Sequence, residues 1–116
     1  MQPKITIIVG PPGSGKSQKL DQILNEYNPD EATILKFGNS LEDLNPRTKL
    51  IVLDEVPNDA ELMDFILKIK VPYRYVFISN AIPYDRALSI CIWAHINYDI
   101  DGKVIQTGKA TLEIIR

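Results

Sequence analysis

Residues Ile5 to Gln18 read ITIIVGPPGSGKSQ, and no other stretch restricts the chain as strongly, because an apolar β-branched run passes directly into a glycine loop and then a helix start. In the spacing Gly10-x4-Gly15-Lys16-Ser17 the glycines let the backbone curl until successive N–H groups point into one concavity. A polyphosphate suits that concavity. Lys16 is placed to reach the β- and γ-phosphates, Ser17 sets a hydroxyl where Mg²⁺ would sit, and the N-terminus of the following helix adds partial positive charge. The sequence therefore predicts that a nucleoside triphosphate is held by Gly10, Pro11, Pro12, Gly13, Ser14, Gly15, Lys16, Ser17 and Gln18.

At 116 residues the chain fits one minimal nucleotide-binding domain, with a core over 1–89 and a C-terminal β segment over 90–116, and is too short for a separate catalytic lid. Hydrophobic residues at 45% and charged residues at 24% match a globular protein rather than a disordered or fibrous one. The net charge of −2, with scattered lysines, permits a nucleic-acid partner but does not indicate one, and the same holds for an anionic membrane. Cys91 has no second cysteine to pair with, and the lone His95 makes no zinc-type cluster, so both are read as structural. No leader-like N-terminus is visible, and no apolar run approaches the roughly 18 residues that span a bilayer. A cytoplasmic protein without membrane attachment is the expectation.

Beyond the loop, Leu20, Ile23, Leu24 and Tyr27 recur at helical spacing over 14–27, and Asn28-Pro29-Asp30 ends that helix. Thr33 to Phe37 reads as a second strand, broken by Gly38-Asn39-Ser40. Leu41 to Leu44 has room for a turn or two of helix at most. Lys49 to Val56, KLIVLDEV, is apolar without alternation, as a parallel strand covered on both faces should be. Asn58 or Asp59 caps a second helix carrying Leu62, Phe65, Ile66 and Ile69, and Arg74 to Ser79 forms a fourth strand. From Ile90 the pattern changes to a period of two as far as Ile100, and Asp101-Gly102 reads as a hairpin turn into 103–107, with another strand over 109–115. Strands alternating with helices predict an α/β doubly wound sheet that binds ligands at the carboxyl ends of its strands.

Asp54 and Glu55 emerge at such an end. Asp54 is placed to hold the Mg²⁺ shared with Ser17, and Glu55 to orient and deprotonate a water attacking the γ-phosphate. Asn80, at the end of the fourth strand, can hydrogen-bond both that water and the phosphate. Asn39 reads either as a residue that holds Glu55 in an unproductive orientation or as a solvated loop residue.

Together GPPGSGKS, IVLDEV and VFISN resemble the P-loop ATPases of the additional-strand, catalytic-glutamate type, especially AAA+ ATPases and superfamily-three viral replication helicases. The resemblance covers roughly a quarter of the chain. It implies a P-loop NTPase fold with a mostly parallel sheet in the order 5-1-4-3-2, flanked by helices, to which the period-two segment adds a C-terminal β-hairpin extension. It further implies Walker A at Gly10 to Ser17, Walker B at Asp54 and Glu55, and a sensor at Asn80. ATP and Mg²⁺ are the implied cofactors, and work within a homo-oligomer or larger assembly, linked to replication of a mobile element, is the implied setting. Arg86 holds a position resembling that from which AAA+ subunits send an arginine into a neighbour's site. The family's helical lid, second-sensor arginine and pore loop have no counterpart here, and no Asn-Lys-x-Asp motif points to GTP.

Two other functions stay open. A small-molecule or nucleotide kinase would share the loop but needs an acceptor pocket and usually an arginine-rich lid, whereas the four arginines here are spread along the chain. A nucleotide-binding interaction module that does not hydrolyse would use the C-terminal β segment, with Trp93, against a partner.

Overall fold

A computed structural model describes residues 4–13, 15–42, 44–69, 73–87, 89–90, 99–100, 103–104 and 110–114. The elements run β1 (Lys4–Val9), α1 (Lys16–Leu24), a single 3-10 turn (Pro29–Glu31), β2 (Ala32–Lys36), β3 (Leu50–Asp54), α2 (Asp59–Leu67), β4 (Arg74–Ser79), β5 (Asp99–Ile100), β6 (Lys103–Val104) and β7 (Ala110–Ile114).

β1, β2, β3 and β4 form an all-parallel sheet in the order 1-4-3-2, with β4 between β1 and β3. β7 adds in parallel to the free side of β1, Ile5 facing Ala110 and Val9 facing Ile114. The place beside β1 that the family resemblance gives to a fifth strand is thus taken by the C-terminal segment, which also holds the short antiparallel pair β5–β6 on either side of Asp101-Gly102. Asp101-Gly102, expected to form a hairpin turn, and most of the period-two stretch with Cys91, Trp93 and His95 lie outside the described residues.

The unbroken apolar character of β3 has a direct structural cause. Leu50 and Val52 join Ile8, Val76, Ile78 and Ile23 of α1 on one face, while Ile51 and Leu53 join Ile7, Phe77 and Leu62 and Ile66 of α2 on the other. Each face is therefore packed against a helix, and the four apolar β3 side chains, Leu50 to Leu53, are fully buried. Burying a Leu, Ile or Val side chain contributes about 1.5–3 kcal/mol, which makes this strand the axis of the core. Arg74, 13% exposed at the start of β4, fastens the end of α1 to the sheet through Glu26 at 3.0 Å and the Tyr27 hydroxyl at 3.4 Å.

The helices are shorter than the periodic stretch suggests. α1 stops at Leu24, and Asn28-Pro29 opens the 3-10 turn that leads into β2, because Pro cannot donate into a continuing helix. Within the described part of 41–44 there is a turn and no helix. Among the described residues no helix is long and apolar enough to cross a membrane.

Candidate functional site

β1 delivers the chain to the carboxyl edge of the sheet at Val9, and three glycines with positive φ carry it round the loop: Gly10 at 154°, Gly13 at 80° and Gly15 at 93°. At Gly13 and Gly15 a side chain would be strained by the left-handed backbone itself, although a Cβ at Gly13 would meet nothing within 4 Å. The loop is therefore open on its inner side. Gly15 is the N-cap of α1; it offers no side-chain cap, and the first turn of the helix contains no acidic residue. Lys16 Nζ folds back to donate to the Gly10 carbonyl at 2.8 Å and the Pro11 carbonyl at 2.6 Å.

A cavity of about 460 Å³ opens here, and it gathers Pro12, Gly13, Gly15, Lys16, Ser17 and Gln18 with Asp54 from the end of β3 and Asn80 from just beyond β4. An uncapped helix start, a lysine, a hydroxyl and a carboxylate around one cavity form a set that fits a phosphorylated ligand with a divalent cation. Ser17 and Asp54 are the residues able to hold that cation. Ser14 lies outside the described residues, and Gly10 and Pro11 border the loop through their contacts with Lys16.

Glu55 is not among the residues lining the cavity. Its backbone is left-handed, φ 60°, and this reversal places Val56, rather than Glu55, beneath α2, where it is 2% exposed. The Val56 N–H then donates to the Ile78 carbonyl at 3.1 Å, continuing the connection to β4. Glu55 N–H is held by Asp54 Oδ1 at 2.7 Å, and its carboxylate meets Lys36 at 3.6 Å in solvent. A left-handed backbone costs a non-glycine residue roughly 1–2 kcal/mol, a strain the buried Val56 offsets. Asn39 lines a different cavity from the one at the glycine loop, and its N–H donates to the Lys36 carbonyl at 3.1 Å. Arg86 also stands away from the cavity, 67% exposed, with Asp59 of α2 at 3.9 Å.

Sequence reasoning missed two residues. Lys36, at the last position of β2 and opposite Asp54 in the ladder, is the partner of Glu55. Ser79 is buried, donates to the Val56 carbonyl at 2.7 Å and accepts from the N–H groups of Ala81 at 3.0 Å and Ile82 at 3.2 Å. One hydroxyl thus ties the segment after the acidic pair to the turn that carries Asn80. A serine directly ahead of such a turn is a local signal for this bonding.

Over an alignment of 56 residues that covers 46% of the chain, the sequence is 36% identical to the mitochondrial ATP-binding cassette sub-family B member 10 of Mus musculus. The match spans only 8% of that protein's length. No protein-family model matches the chain, and no solved structure matches it significantly.

Proposed function

We propose that this chain is a Mg²⁺-dependent ATP-binding protein that hydrolyses ATP. The observation that carries the proposal is the meeting of Lys16, Ser17, Asp54 and Asn80 in one cavity at an uncapped helix start. The partial similarity to an ATP-binding cassette protein supports ATP as the nucleotide.

In this reading Lys16 exchanges the carbonyls of Gly10 and Pro11 for phosphate oxygens, so the ligand replaces hydrogen bonds that already exist. Ser17 and Asp54 would hold a Mg²⁺ ion, which would supply charge neutralisation for the phosphates. Asn80 orients the attacking water, and Glu55 accepts its proton after leaving Lys36 and turning toward the cavity. Arg86, released from Asp59, completes the site of a neighbouring copy within an oligomer, as the resemblance to AAA+ ATPases implies; mixing inactive Arg86→Ala with inactive Glu55→Gln should then restore activity.

The position of Glu55 outside the cavity favours a second reading, in which nucleotide is bound without turnover and serves as an assembly signal. Phosphate release and ATP calorimetry on the parent and on Glu55→Gln separate the two. Hydrolysis expects both proteins to bind ATP and only the parent to release phosphate. Tight binding with no release from the parent, at any protein concentration, would establish the second reading, and absence of ATP binding would overturn both.

A further inference from the structure

On the face of the sheet covered by α2 lies another cavity, of about 540 Å³, and it shares no lining residue with the one at the glycine loop. Its origin is in the connections. The crossovers from β1 to β2 and from β3 to β4 each carry a nine-residue helix, whereas the described residues between β2 and β3 contain none. Leu41 and Leu44 cover that side of the core only in part, leaving a groove between themselves and α2.

The walls are aromatic. Phe37 lies 5.7 Å from Phe65, Phe65 lies 5.9 Å from Tyr75, and Tyr75 lies 6.1 Å from Tyr73, between ring centroids. The rim is acidic: Glu61 and Asp64 stand along α2, and among the described lining residues Lys68 is the one cation to offset them, 2.9 Å from Asp64. Aromatic faces carry negative electrostatic potential, and they attract cations together with nearby carboxylates. The volume is within the roughly 300–1,000 Å³ of small-molecule sites. Anionic ligands are disfavoured by the same charges, so this groove and the glycine loop select opposite chemistries.

We propose that the groove binds an aromatic organic cation, its ring among Phe37, Phe65 and Tyr73 and its ammonium at Glu61 and Asp64, where it takes the place of Lys68. This site does not rest on the nucleotide reading, because the two cavities share no lining residue.

The test is a methyl- and amide-detected NMR titration of the full chain with tryptamine, with its acidic counterpart indole-3-propionate, and with hexylammonium, which lacks a ring. Tryptamine should shift Leu41, Leu44 and Phe37, in the roughly millimolar range expected of so small a ligand. The acid and the aliphatic amine should each bind at least about fivefold more weakly. The double substitution Glu61→Gln with Asp64→Asn should weaken tryptamine roughly threefold to tenfold, as loss of two exposed charge contacts would. Saturating inorganic pyrophosphate should leave tryptamine binding in place. Equal binding of tryptamine and the acid, shifts centred on any other surface, or parent-like tryptamine affinity in the double variant would each overturn the proposal, and the ligand comparison needs no altered protein.

Discussion

α1 and α2 have the same length and begin in opposite ways. α2 starts at Asn58, whose side-chain oxygen accepts the Glu61 N–H at 2.8 Å while its amide donates to the Glu61 carboxylate at 2.9 Å, and Asp59 adds a second acid to the first turn. α1 starts at a glycine, without a cap and without an acid. The 3-10 turn follows the α2 pattern, for the Glu31 carboxylate accepts the Asn28 N–H at 2.8 Å. Where a helix end serves the fold alone, the chain supplies its own negative charge; where it is withheld, the partial positive charge is left for something else. The bare start at Gly15 suits the anionic ligand of the proposed function.

Four substitutions would break or sharpen that contrast. Lys16→Ala should have the largest effect, lowering ATP affinity by about a hundredfold through loss of the cation nearest the phosphates. Calorimetry on a folded variant checks it, and unchanged affinity would remove the basis of the contrast. Gln18 occupies the third position of α1, as Glu61 does in α2. Gln18→Glu therefore gives α1 the charge it lacks, and should weaken ATP about tenfold while raising the melting temperature of the free protein slightly, a gain of about 0.3–1 kcal/mol. Asn58→Ala should do the reverse, costing about 1 kcal/mol in denaturant unfolding and leaving ATP affinity unchanged.

The smallest effect concerns Glu31, which a hydrogen bond from Lys49 at 2.7 Å, and then the Asn28 N–H, hold below the ordinary glutamate pKa. A lowered carboxylate pKa in the folded state contributes stability above the unfolded value, and that contribution is lost as pH falls through the folded value. Glu31→Gln should thus be slightly less stable than the parent at neutral pH, with the gap closing below about pH 4.3. A gap that stays constant down to pH 2 would show that the pair contributes nothing through its charge.

Much of this was readable in the sequence, for reasons that differ by residue. The glycine loop declares itself because only glycine tolerates the left-handed turns it makes, and β3 and β4 because strands covered on both faces must be apolar throughout. Asp54 and Asn80 follow from strand ends in a parallel sheet. The outward turn of Glu55 was not legible: it depends on Val56 entering the core and on a bond to Ile78 in another strand, neither of which leaves a local pattern. Lys36 was missed for the same reason, since its role arises only when β2 lies beside β3. The C-terminal segment shows a period of two, which announces strands but not that β7 would join the main sheet beside β1.

That last placement bears on the order in which the molecule is made. β1 precedes the other strands of its sheet along the chain, yet both of its neighbours come late: Lys4 pairs with Arg74 and Ile5 with Ala110. β2 and β3, in contrast, find each other across a short separation, and β4 follows soon after. Long-range pairings carry the larger loop-closure entropy and form more slowly, so the expected order is that β2, β3 and β4 pair first and β1 adds afterwards to the open edge of β4. The glycine loop, hung from the end of β1, takes its shape only then, and a chain released before β7 is made would carry the whole loop sequence with one side of its supporting strand bare.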